Sequence, residues 1–158
     1  MEKNENTSDL LQLVSFNIGR EEFGIDILKV QEINRMITIT KFPNAPEYVE
    51  GVINLRGRVI PVVDLRTKLG MEKREADKDA RIIVVELDGK TTGFKVDSVN
   101  EVLRIPANIT EEPPTAAGMN SKYITAVAKL EDRLLLLLDL ELVLMQSEKE
   151  ELMGLAKD

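Results

Sequence analysis

Polar and apolar positions divide the chain into short segments of β character. Val14, Phe16 and Ile18 alternate with Ser15 and Asn17, the period of a half-buried strand. Residues 19–21 can turn the chain into a second strand, 22–26, with Phe23 and Ile25 on one face. Ile27, Val30 and Ile33 then change to three-residue spacing, which predicts a short helical turn with Lys29 and Glu32 toward solvent. Residues 37–40 are rich in β-branched side chains and predict another strand. Two prolines make 42–46 a loop. Strands 52–55 and 59–63 flank a turn at Arg56-Gly57-Arg58, and Pro61 places its strand at an edge or an irregularity. Asp64 can cap a short helix over 65–69, which Gly70 ends. After a charged linker, 71–79, a hairpin over 81–87 and 92–96 turns at Asp88-Gly89. A long loop, 106–120, leads to strands 124–130 and 134–138. Ser147 with Glu150 fits a capping box and predicts a C-terminal helix in which Leu152 and Leu155 can pack.

The chain also repeats itself. Residues 48–65 (YVEGVINLRGRVIPVVDL) align without a gap on 123–140 (YITAVAKLEDRLLLLLDL), at an offset of 75. Residues 14–33 align on 83–102 at an offset of 69, matching Gly24 with Gly93, Val30 with Val99 and Glu32 with Glu101. Two equivalent units, many short strands and little helix predict two similar small β-barrels, with a groove between them suited to a ligand or a partner segment.

Composition excludes several chemistries. The chain has no histidine and no cysteine, so triads that need an imidazole base, the usual zinc sites and disulfides are all removed. Net charge is −7, with no basic cluster of the kind that neutralises phosphates, so nucleic acid is not an expected partner. Adjacent acids, Glu21-Glu22 and Glu111-Glu112, lack the EF-hand pattern and read as solvated surface. No metal or cofactor is expected. The longest apolar run, 134–138, is far below the roughly 20 residues of a membrane span; it reads chiefly as a strand covered on both faces.

The repeat also points to candidate functional residues, because the two units differ at the hairpin tip. Asn54, Arg56 and Gly57 of the first unit correspond to Lys129, Glu131 and Asp132 of the second. One reading is a well-formed turn with solvated arginines; the other is a rigid tip that projects Asn54 and Arg56 into a contact surface, where a planar guanidinium pairs well with carboxylates. Val30, Glu32 and Ile33 read either as an amphipathic turn or as part of that surface, with Glu32 available to Arg56. Gly51, matched by Ala126, reads as a close backbone approach or a bulge, beside which a docked partner would be sensitive to any larger side chain.

The run EFGIDILKVQEI at 22–33 followed by GVINLRGRVIPVVDL at 51–65 closely resembles the CheW family of bacterial chemotaxis coupling proteins. The combination N-L-R-G, a proline four residues beyond that glycine, then V-D-L, is specific, and the likeness spans roughly residues 11–145. With no phosphotransfer, ATP-binding or response-regulator region in view, the resemblance is to a single-domain member. It implies a mostly β fold of two intertwined five-stranded SH3-like barrels (about 14–70 and 80–140), after a flexible N-terminus (1–10) and before a helical tail (146–158). It further implies a non-enzymatic cytoplasmic adaptor, recruited to membrane receptor arrays without inserting. Its partners would be the cytoplasmic tip of methyl-accepting chemoreceptors and the regulatory domain of the CheA histidine kinase. Carried over by motif, the receptor-binding residues are Val30, Glu32, Gly51, Asn54, Arg56 and Gly57. Ile83, Val99 and Val102 are further receptor- or kinase-binding candidates. An adaptor of another chemosensory pathway, such as surface motility, or a barrel that binds a small ligand are the alternatives.

Overall fold

The computed structural model describes residues 10–114 and 121–144. It is mostly β, with two sheets. The strands are β1 (Leu10–Ile18), β2 (Glu21–Asp26), β3 (Val30–Arg35), β4 (Val49–Leu55), β5 (Arg58–Asp64), β6 (Arg81–Leu87), β7 (Lys90–Val96), β8 (Ser98–Pro106), β9 (Thr110–Glu111), β10 (Ile124–Lys129) and β11 (Leu134–Leu138). One sheet has the order β8-β1-β2-β11-β10-β9, the other β3-β6-β7-β5-β4.

Each sheet therefore mixes strands from both halves of the chain. The repeat offsets make β1, β2 and β3 the counterparts of β6, β7 and β8, and β4–β5 the counterpart of β10–β11. In these terms the two sheets have the same order apart from the extra edge strand β9, and each joins the first hairpin of one half to the remaining strands of the other. The joints are parallel pairings in matching register. Leu137 lies opposite Gly24 where β11 meets β2, and Val62 lies opposite Gly93 where β5 meets β7. Both glycines sit where a side chain has little room: a Cβ on Gly93 would lie 2.8 Å from Ile82 Cγ2, too close without a shift, and one on Gly24 would lie 3.2 Å from Leu135 Cδ2, a tight contact.

Burial explains the long apolar runs. A shared core forms between the sheets from Val14, Phe16, Phe23, Val63, Ile83 and Phe94 with their neighbours. Phe16 and Phe23 stack there at 5.8 Å between ring centroids. The opposite face of each sheet has its own smaller core. Leu13, Ile105, Ala128, Leu135 and Leu137 form one, and Ile53, Ile60, Val62, Ile82 and Val84 form the other. Strands covered on both faces need no polar alternation. That is why β6 reads Ile82-Ile83-Val84-Val85, with successive residues serving different cores. In β11, Leu135 and Leu137 face the private core, and Leu138 the shared one, whereas Leu134 is exposed.

Four expectations change. The three-residue spacing at 27–33 yields only a single 3₁₀ turn, Ile27–Lys29; Val30–Arg35 is a strand because β6 offers it a ladder. Residues 37–40 form no strand beyond one isolated bridge, Thr40 to Val52. β8 and β9 occupy 98–106 and 110–111, where no strand and then a loop were expected; β8 is secured by its long pairing with β1. Pro61 lies in an interior strand, but the β5–β7 ladder begins one residue later, at Val62, so no ladder bond requires its missing N–H. Asp64 caps the Leu65–Lys68 helix by accepting from the Arg66 amide, as expected, and Asp139 does the same for the Leu140–Val143 helix. The predicted helix at 147 lies outside the described residues.

Leu137→Asp places an unpartnered carboxylate in the private core of the first sheet. The expected loss is on the order of 4 kcal/mol or more, read as a large fall in melting temperature by circular dichroism. A melting curve matching the parent would contradict this packing.

Candidate functional site

The tip between β4 and β5 is a two-residue turn in which Arg56 (φ 52°) and Gly57 (φ 86°) both have positive φ. This is the backbone of a type I′ hairpin, which turns in the same sense as the strand twist. The β6–β7 tip does the same with Asp88 (φ 53°) and Gly89 (φ 75°). Aspartate is a favoured occupant of such a position; arginine is not, so Arg56 stands there at a conformational cost. Two interactions hold it. The Asn54 Oδ1 accepts from the Gly57 amide at 2.9 Å, closing the turn. The Arg56 guanidinium donates to the Glu32 carboxylate on β3. Beside them Arg58 donates to Thr91 Oγ1 at 2.9 Å, bracing the tip against β7.

The Arg56–Glu32 contact crosses the whole sheet. β3 and β4 are its two edges, and in a flat five-stranded sheet they would lie about 19 Å apart. The sheet therefore curls, and side chains span the gap between edges that share no ladder. The hydrogen bond from Arg56 holds the Glu32 carboxyl below the usual glutamate range, and the same bond raises Arg56 above its ordinary value. Both side chains face water, so salt weakens the pair.

The structure thus brings Glu32, Asn54, Arg56 and Gly57 together at one exposed end. Val30, at the start of β3, is half-buried and packs on the shared core. Gly51 is buried within β4, at a bulge. Ile83 is a correction: its exposure is 0%, deep between the sheets, so its side chain serves the core and not a partner. Val99 and Val102 lie on β8, in the other sheet. Val99 is half-buried against the shared core, while Val102 is 52% exposed.

Sequence reasoning weighed Ile33 at this end but missed Val59 and Leu28. Val59, 54% exposed, stands next to the tip on β5, and Ile33 is exposed on β3. At the seam between the sheets an open cleft of about 390 Å³ is walled by Leu11, Ile25, Ile27, Leu87 and Leu138, with Leu28 on its rim at 86% exposure. The signal for Leu28 was present, since an apolar residue beside Lys29 in a single turn has no inner face to occupy.

The second unit carries a related arrangement. Arg133, the counterpart of Arg58, donates through Nε to Glu22 at 2.6 Å and lies 3.8 Å from Glu101, the counterpart of Glu32. Burial pushes Glu22 up, but hydrogen bonds from Arg133 and Ser15 outweigh it and hold the carboxyl below its usual range. Val102 and Leu134 are exposed there, as their counterparts Ile33 and Val59 are at the first end. The tip itself differs: Glu131 and Asp132 have no positive φ, and they present acid where the first tip presents Arg56.

Among the described residues no set of His, Cys, Asp or Glu side chains is grouped to hold a metal, and no helix is long and apolar enough to cross a membrane.

Comparison with known proteins matches residues 12–148 to the family model described as "CheW-like domain". The chain is similar to the chemotaxis protein CheW of Klebsiella aerogenes, 37% identical over 138 residues, covering 87% of this chain and 83% of that protein. It is similarly 37% identical over 142 residues to the chemotaxis protein CheW of Helicobacter pylori, covering 90% and 86%. The crystal structure of the scaffolding protein TtCheW from Thermoanaerobacter tengcongensis superposes with a TM-score of 0.81 at 38% identity, covering 89% of this chain and 96% of that one.

The Glu32–Arg56 pair has a defined pH dependence. Because the folded-state value of Glu32 is lowered, its contribution is present above the unfolded-state value and is lost as pH falls through the folded-state value. In an NMR titration the Glu32 midpoint is expected below that of an ordinary glutamate, and Arg56→Ala is expected to move it up. An identical midpoint in parent and variant would show that the two groups do not interact.

Proposed function

Because this chain belongs to the CheW-like family, whose members are scaffolding adaptors and not enzymes, we propose that it couples methyl-accepting chemoreceptors to the CheA histidine kinase. Partners in a chemotaxis pathway follow from the family; the receptor tip and the kinase regulatory domain are the specific partners of this reading. The observation that carries it is the family match across residues 12–148.

The receptor-facing surface in this reading is the end built by Glu32, Asn54, Arg56 and Gly57, with Val30 and Gly51 beneath it. It combines a held guanidinium with exposed aliphatic neighbours, Ile33 and Val59. A chemoreceptor tip is a helical hairpin, and helices dock by laying an apolar stripe against such a surface or into a seam like the one beside Leu28. Val99 and Val102, on the other sheet, belong to a second surface, facing the kinase or a receptor. Two surfaces on one small domain let it sit between partners. In an array, each contact can be weak and still hold, because linked contacts raise the effective concentration of the next. A receptor conformational bias then reaches the kinase as a coupling free energy of about 1–3 kcal/mol. Recruitment to the membrane would come through the receptors.

The deciding experiment measures CheA phosphorylation rate in membranes holding a cognate receptor, with and without the protein. The rate is expected to become dependent on receptor and attractant only when the protein is present. A rate indifferent to it, with no binding to either partner, would reduce the likeness to one of fold. Arg56→Ala is expected to weaken binding of a receptor-tip fragment by about tenfold, the scale of a lost charged anchor, with an unchanged circular dichroism spectrum. Equal binding by variant and parent would remove the tip from the receptor surface.

A further inference from the structure

Gly51 lies beneath the point where two parts of the site meet, and its surroundings assign it a specific task. The segment 36–40 continues β3 directly and runs back over β4. Met36 and Ile39 pack against the private core of this sheet. Thr40 exchanges two backbone hydrogen bonds with Val52: its amide donates to the Val52 carbonyl at 2.9 Å, and the Val52 amide donates to the Thr40 carbonyl at 2.8 Å. The segment is thus a strap that ties β3 to β4. It passes so close to Gly51 that a Cβ there would strike the Thr40 carbonyl oxygen, and would lie 2.8 Å from Ile39 Cγ2 and 2.9 Å from the Thr40 carbonyl carbon. Gly51 also has φ 151°, which an L side chain rarely adopts.

The second unit supplies an internal comparison. Ala126 takes the equivalent place in the β10–β11 hairpin, with the same register shift, and has no positive φ. A bulge at this point of the fold accommodates a Cβ. That unit has its own strap, β9, which pairs with β10 at Val127, the counterpart of Val52; what excludes a Cβ at position 51 is how closely Thr40 and Ile39 approach it, together with its φ of 151°.

The geometry points to Gly51 as a positioning residue: by lacking a Cβ it lets the 36–40 strap lie flat on β4, and the strap sets β3 so that Glu32 meets Arg56. Ile39 and Thr40 share that task. Gly51 has no side chain to offer a partner and is itself buried, so a substitution there acts on the surface indirectly, through the strap. The consequence for receptor binding rests on the function proposed above; the positioning role does not.

The test is an NMR titration of Glu32 in the full chain, paired with binding of a receptor-tip fragment. In Gly51→Ala the Glu32 midpoint is expected to rise toward that of an unpaired glutamate, as in Arg56→Ala. Receptor binding is expected to fall, with no further loss when Glu32→Gln is added. A Glu32 midpoint equal to the parent's would overturn the proposal. If Gly51→Ala does not fold, Ile39→Ala loosens the same strap without changing a residue of β4, and the same upward shift is expected; no shift there overturns it equally. Gly70→Ala is the control, since Gly70 has φ 83° with open space around it. Its Glu32 midpoint should stay put, and a shift matching that of Gly51→Ala would reduce the effect to general loosening and end the proposal. A raised midpoint in Gly51→Ala with receptor binding intact would uphold the strap and remove this end from the receptor surface.

Discussion

Neither half of this chain can bury its apolar strands alone. β1 and β2 need β11, and β6 and β7 need β5, and both joints are short parallel pairings across the repeat. Parallel pairing demands a long connection between its strands, here residues 65–89 between β5 and β7 and residues 27–133 between β2 and β11. Once the two joints form, everything else has a place: the shared core closes between the sheets, and each sheet can curl over its own private core. Gly24 and Gly93 mark how tightly the joints are drawn, since a methyl group at either would press on Leu135 or Ile82. The non-local joining of the halves also makes folding of this topology intrinsically slower than that of a local hairpin array.

The curl of the five-stranded sheet is what creates the candidate site. Its edges share no ladder, so side chains complete the end: Arg56 reaches Glu32 across the opening, and the strap at 36–40 crosses it lower down. An exposed ion pair adds little to stability. Its value lies in orientation, because a guanidinium held by one carboxylate, on a turn held by Asn54, has few ways to point. The related cluster of Arg133 with Glu22 and Glu101 shows that both units tie their last hairpin to the strands beside it. Only one unit puts the arginine at the apex of the turn, and the chemistry of the two ends diverges there.

Much of this was legible in the sequence. Period-two alternation announced β1 and β2, Asp88-Gly89 announced its hairpin, and Asp64 announced a helix cap. The repeat announced two equivalent units, and the comparison of their tips singled out Asn54, Arg56 and Gly57. The misreadings have physical causes. Val30 and Ile33 have the spacing of a helical turn, but β6 offered backbone partners that a turn could not match. Ile83 had no mark to separate it from a surface valine, because every residue of β6 from 82 to 85 is apolar and only the arrangement of cores assigns each one a side.

By itself, the sequence determined the β class, the duplication, the positions of the turns and the residue types at the tip, since these depend on local backbone preferences and on patterns that repeat within a few residues. Tertiary structure alone decided which half completes which sheet, which face of a wholly apolar strand meets which core, and that Glu32 lies beside Arg56 from 24 positions away. It also decided why position 51 must be glycine. These depend on contacts between segments far apart in the chain, and a side chain's partner across such a distance is set by the path of the backbone between them.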